Sequence, residues 1–164
     1  MPDGDRAMMR QLVLLLALPV LAACTQYASD IDRRVCSQIA KPYFSRHIER
    51  DTEEYRTLDL ETQYVIYICS QLRAEPPRLE LAEVLSERGE SAVPFLTAKL
   101  QEARSEQTVR AMIDVLYVMH RRGRYDVRAD AALMSLLRTK LAAMREGPDR
   151  SLVEDWLDEL ERPA

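Results

Sequence analysis

At 164 residues, with 47% apolar and 30% charged side chains, the chain is long enough for one domain with a modest core and too apolar to remain disordered. Its 23 basic and 27 acidic residues leave a net charge of −4, which argues against the basic face that nucleic-acid binding demands. Two histidines and four glycines leave little material for a histidine-rich metal centre or a glycine-built phosphate cradle.

The N-terminus is read first, because a targeting segment must be set aside before the fold is considered. From Leu12 to Ala23 runs an uncharged apolar stretch of 12 residues, preceded by Arg10 and Gln11 and closed by small Ala22 and Ala23. A membrane-spanning helix needs roughly 20 residues, so the run suits the apolar region of a signal peptide. Its end, Leu21-Ala22-Ala23-Cys24, resembles the lipobox of bacterial lipoprotein precursors. That resemblance implies cleavage before Cys24, a diacylglyceryl group on its sulfur and a further acyl chain on the new amine. It divides the chain into a signal peptide over 1–23, a lipidated tether over 24–30 and a single α-helical domain over 31–164. Asp3 and Asp5 offset Arg6 and Arg10, whereas a signal peptide should begin clearly positive. Translation from Met8 or Met9 restores that pattern, so either is expected to be the true start. Thr25 stands where lipoproteins retained on the inner membrane tend to carry Asp, so the resemblance favours the outer membrane, with the domain in the periplasm.

With Cys24 lipidated, Cys36 and Cys69 remain, and an even remainder in an exported protein predicts a disulfide. The alternative is two small buried hydrophobes on separate helices. No CxxC or close His–Cys pair accompanies them, so neither a metal nor a cofactor is expected.

Beyond the tether, Ile31, Val35, Cys36 and Ile39 recur at helical spacing up to Pro42. Residues 43–59, rich in Arg46, Glu49, Asp51 and Glu53, predict a loop with room for a helical turn. Tyr64-Val65-Ile66-Tyr67-Ile68-Cys69 has strand-like composition. A strand there would have no partner run, so a buried helix from about Leu60 to Arg73, stopped by Pro76-Pro77, is preferred. Leu79, Ala82 and Leu85 line a short helix with Gly89 as its stop. Ser91 is expected to open the next helix, with Pro94 in the first turn and Val93, Leu96 and Leu100 inward. Ser105 should cap a helix carrying Val109, Met112, Ile113, Leu116 and Met119, ended by Gly123. Leu133, Leu136, Leu137, Leu141 and Met144 mark another, ended by Gly147-Pro148. Ser151 and Glu154 form a capping box ahead of Val153, Trp156, Leu157 and Leu160. The expected fold is all-α, a small bundle of about six to seven antiparallel helices.

Ala92-Val93-Pro94-Phe95-Leu96, with Leu100, Val109-Arg110 and an apolar helix to Met119, resembles a HEAT repeat over residues 89–123. The resemblance implies HEAT-like helix pairs in the C-terminal half, stacked into a scaffold that binds other proteins. Only one copy is legible, whereas such arrays need about three.

Candidate chemistry is sparse. His47 and His120 match no metal or catalytic spacing, and His120 reads as a cation at a helix C-terminus. Glu90-Ser91 is similar to the Glu-Ser pair of lytic transglycosylases, but the Gly-rich segments of that family are missing downstream. A carboxyl before a helix start is also ordinary. The basic cluster His120-Arg121-Arg122-Gly123-Arg124, with Arg128, could meet an anionic partner, although neutralising a helix end is preferred. Glu154, Asp155, Asp158, Glu159 and Glu161 read as a solvated face, and Trp156 as core. The expectation is a membrane-anchored lipoprotein that binds an unknown protein partner as an adaptor or accessory subunit of the cell envelope. It takes no nucleic acid and no small-molecule substrate. The alternatives are an inhibitor or immunity-type lipoprotein and a small cell-wall hydrolase using Glu90.

Overall fold

Eight helices are present in the computed structural model, which describes residues 30–40, 43, 48–73 and 78–162, and no strand occurs among these residues. They are α1 (Arg33–Val35, continuing through the wider π-type turns of Cys36–Ala40), α2 (Ile48–Arg56), α3 (Leu60–Arg73) and α4 (Glu80–Ser86). There follow α5 (Val93–Glu102), α6 (Glu106–Arg121), α7 (Ala131–Ala143) and α8 (Pro148–Glu161), with 3₁₀ turns at Gly89–Ala92 and Val127–Ala129. None of the described helices is long and apolar enough to cross a membrane.

The segment Tyr64–Cys69 is helical, as its lack of a strand partner required. Every residue from Gln63 to Gln71 is buried, and a helix buried on all sides tolerates strand-like composition. Asp59 caps it, accepting from Thr62 N at 2.9 Å. Helix α6 is the other core element. Ser105 caps it, accepting from Thr108 N at 3.1 Å, and Met112, Ile113, Val115, Leu116 and Met119 are fully enclosed. Gly123, at φ 64°, turns the chain out of α6, a left-handed conformation that side chains resist.

Four expectations are corrected. Residues 48–56 form α2 rather than a loop. Its fully enclosed Tyr55 donates its hydroxyl to Gln63 O at 2.8 Å, while Gln63 Nε2 donates to Tyr55 O at 2.8 Å. Arg88 completes this knot, donating to Gln63 Oε1 at 3.0 Å and to Leu58 O. Leu79 does not face inward; it is 60% exposed, and Leu81, Ala82, Val84 and Leu85 carry the buried face of α4. Ser91 caps nothing: it lies in the 3₁₀ turn and donates back to Arg88 O, so α5 starts at Val93 with Pro94 in its first turn. Ser151 is likewise no cap, because α8 already starts at Pro148; Glu154 instead pairs with Arg150 at 2.9 Å.

The packing is layered. Helices α2, α4, α6 and α8 contact one another in that order, forming one layer. In the other, α1 packs on α3, Tyr64 of α3 meets Phe95 of α5 edge-on at 5.8 Å, and Lys140 of α7 bonds the carbonyls of Gln101 and Ala103 at the end of α5. Consecutive pairs α3–α4, α5–α6 and α7–α8 also touch. The hydrophobic core is one cluster that follows this double layer from Cys36 to Leu160.

Candidate functional site

The residues singled out from the sequence fall into three groups. Cys24 lies outside the described residues, as do the rest of 1–29 and His47. Cys36 and Cys69 are brought together: their sulfurs are bonded at 2.00 Å, with Cα atoms 5.4 Å apart, fastening α1 to the middle of α3. The remaining candidates lie among the described residues and have readable surroundings.

The basic cluster is consumed internally. Arg122 forks onto Glu83 at 2.6 and 2.9 Å, and Arg124 bonds Glu83 O at 3.0 Å and the Ser86 hydroxyl. Arg121 lies over the Tyr117 ring at 5.7 Å and 3.7 Å from Glu159. Arg128 reaches Asp126 and the carbonyl of Arg162, and His120 Nδ1 sits 3.3 Å from Asp126. These cations tie loops to helices and leave no coherent basic face. Glu90 is exposed at the rim of a shallow depression it shares with Arg124, Tyr125, Asp126 and Asp130. A general acid of the glycosidase type needs an apolar pocket to keep its proton, and this surface position supplies none. On α8, Glu159 accepts from the Tyr117 hydroxyl and Glu161 pairs with Arg138 at 2.8 Å, while Asp155 and Asp158 stay exposed. Trp156 stacks on Tyr117 at 5.5 Å, half-buried against the core.

Sequence reasoning missed a buried polar bolt between the layers. Tyr67 donates to Asp114 Oδ2 at 2.7 Å, with both residues buried. Burial pushes both groups' pKa values up, opposed at Asp114 by the Tyr67 hydrogen bond and by Arg110. Arg110 continues the network, donating to Gln71 Oε1 at 2.9 Å and lying 3.2 Å from Asp149 on α8. Its members lock α3, α6 and α8 in register.

Also unforeseen is a groove of about 540 Å³ between α1, α3 and α5. Ile31, Val35, Tyr64, Val65 and Ala103 give it an apolar floor, and Asp30, Asp32, Glu61 and Glu102 an acidic rim broken by Lys99 and Arg104. Asp30 is fixed there by accepting from the backbone N–H groups of Arg104 and Ser105 at 3.0 and 3.1 Å. Lys99 Nζ sits 5.1 Å over the Tyr64 ring, 5.2 Å over Phe95 and 2.9 Å from Glu61. Tyr64's pKa is pushed up to about 12, chiefly by burial and further by the charges of Asp30, Glu61 and Glu102.

Comparison with protein-family models, with curated proteins and with solved structures gives no match to this chain.

What the arrangement can do chemically follows from its residues. Among the described residues no three His, Cys, Asp or Glu side chains are placed to hold a metal ion. The groove couples apolar surface to excess negative charge, which is the equipment of a binding surface and contains no nucleophile–base pair.

Proposed function

We propose that this protein is a lipoprotein of the bacterial cell envelope, anchored through Cys24, whose helical domain acts as a protein-binding adaptor in the periplasm. The observation that carries the reading is the fate of the cysteines. The chain has three; Cys36 and Cys69 are bonded to each other, so the one left over is Cys24, at the end of the apolar run and the Leu21-Ala22-Ala23 motif. A disulfide supports an oxidising compartment, which is where a cleaved and lipidated chain of this kind would reside. Two or three acyl chains at about 0.8 kcal/mol per buried methylene would make attachment effectively permanent. Thr25 favours the outer membrane, and the acidic Asp3 and Asp5 ahead of the Leu12–Ala23 run favour initiation at Met8 or Met9.

The adaptor role draws on the layered packing. Three successive helix pairs stacked side by side support the HEAT-like reading of residues 89–123 and extend it to α3–α4 and α7–α8. Stacked helix pairs present extended surfaces to other proteins, and tethering raises their effective concentration at the membrane. An inhibitor or immunity-type lipoprotein would use the same anchor and differ in its partner.

The test has two arms. Mass analysis of the N-terminal peptide from membranes should find Cys24 carrying a diacylglyceryl group, and Cys24→Ala should abolish both that lipid and cleavage before residue 24. An unmodified Cys24 in the isolated protein would end the lipoprotein reading. In-cell crosslinking of the anchored chain should capture a specific envelope protein. If that protein were an enzyme whose activity fell on binding, the inhibitor reading would replace the adaptor.

A further inference from the structure

The groove between α1, α3 and α5 sits where the N-terminal segment joins the domain. Asp30, on its rim, is held to the α5–α6 junction by two backbone N–H groups, so the chain's exit point is fixed. Cys24 and Asp30 are six positions apart, and even fully extended that stretch spans only about 20 Å. An acyl group on Cys24 therefore keeps the groove within about 20 Å of lipid. That consequence rests on the anchoring proposed above.

We propose that the groove receives a lysine- or arginine-bearing segment of an integral membrane protein, taken where that partner emerges from the bilayer. Charge complementarity selects the chemistry, since four carboxylates line the groove against two cations. One cation is already partnered inside it, Lys99 with Glu61 and two aromatic rings. That arrangement shows how the groove accommodates an ammonium: aromatic faces below, a carboxylate beside. Glu102 carries no ion pair among the described residues and offers the next position along the rim. Ile31, Val35 and Val65 on the floor suit the apolar side chains that flank such basic residues near a membrane. The tether length selects the source, because a segment far from the bilayer would lie beyond the groove's reach.

The test uses the mature lipidated protein in neutral phosphatidylcholine vesicles and a short dye-labelled peptide in which lysine alternates with leucine. Fluorescence anisotropy should show binding that weakens steeply with salt, and a glutamate–leucine counterpart should not bind. Glu61→Gln combined with Glu102→Gln removes two half-screened partners, so affinity should fall about fivefold to tenfold. Glu102→Arg should weaken binding further, and thermal melts of each variant report that the fold is kept. Equal binding of the two peptides, or binding indifferent to these substitutions, would overturn the proposal. A second arm places the lysine peptide on a membrane-spanning helix in the same vesicles. It should bind the lipidated chain more tightly than the free peptide does, by raised effective concentration. Cys24→Ser should lose only that gain, so a failed anchor and a failed groove give different results. Equal affinity for free and membrane-borne peptide with the lipidated chain would remove the membrane source.

Discussion

Replacing both Cys36 and Cys69 by Ala should lower the stability of the domain by about 4 kcal/mol, the chain-entropy value for a loop closed across this spacing. The bond spans a sequence separation of 33, and both of its ends are buried, at 2% and 0% exposure. Alanine fits the space of a thiol closely enough that packing loss adds little. For a domain whose whole stability is of order 5–15 kcal/mol, the loss is a third or more. With a urea slope of about 2 kcal/mol per molar, the unfolding midpoint should fall by about 2 M. Urea titration followed by far-ultraviolet circular dichroism, comparing the oxidised protein with the double variant, reads this directly. Oxidised protein in strong reductant should move towards the variant, slowly, because the buried sulfurs admit reductant only when α1 opens. A midpoint within about 0.3 M of wild type, at unchanged slope, would refute the reasoning.

Other expectations follow from the core and its buried polar bolt. Tyr67→Phe removes the hydroxyl that donates to Asp114 and leaves a buried carboxyl without that donor, a loss of about 1–3 kcal/mol in chemical denaturation. Asp114 has its folded-state pKa raised above the ordinary 3.8 by burial, so the folded chain holds that proton more tightly than the unfolded one. Its contribution is therefore fully present below about pH 4 and lost as pH rises through the raised folded value. Asp114→Asn should gain relative to wild type across that window in pH-dependent melts; a constant difference would contradict the assignment. Leu116→Ala, at a fully enclosed position of α6, should cost about 2–5 kcal/mol in the same assay. Gly89→Ala meets only ordinary contact with Arg124 O at 3.5 Å, but Gly89 sits at φ 59°, so a drop of about 1 kcal/mol in melting free energy is expected.

Where the sequence was legible, one element carried its own signal. Helix α6 announces itself through Ser105, a continuous apolar stripe and Gly123, and the structure keeps each. Helix α3 was legible by elimination, because a strand at Tyr64–Cys69 had no partner. Helix α2 was not, since Tyr55 is secured by Gln63 and Arg88 and Arg56 forks onto Glu87, all partners from other elements. Such a helix depends on tertiary partners that periodicity cannot register. The capping box at Ser151 failed because Gly147-Pro148 begins the helix a turn earlier, and proline at a first helical position is itself favourable. The repeated pairing of α3–α4 was hidden by composition: α3 is buried all round and α4 has only seven residues, so neither shows the amphipathic stripe of a repeat helix. The groove was invisible for a related reason. Asp30 reaches Arg104 and Ser105 across 74 and 75 positions of sequence, and nothing local marks that contact.

The bond between Cys36 and Cys69 also determines how the domain carries mechanical load. A pull on the N-terminus first strains the hydrogen bonds of Asp30 and the single turn of Arg33–Val35. It then arrives at Cys36, where two routes lie ahead. One follows the backbone through α2 and the knot around Tyr55; the other passes through the sulfur bridge into the middle of α3. A covalent link does not stretch appreciably before hydrogen bonds break, so force takes the second route. Residues 37–68 are thereby shunted out of the load path, and tension enters the fold at Cys69, inside a helix buried on every side. Helix α2 is spared any pull delivered from that end, and the buried α3 bears it.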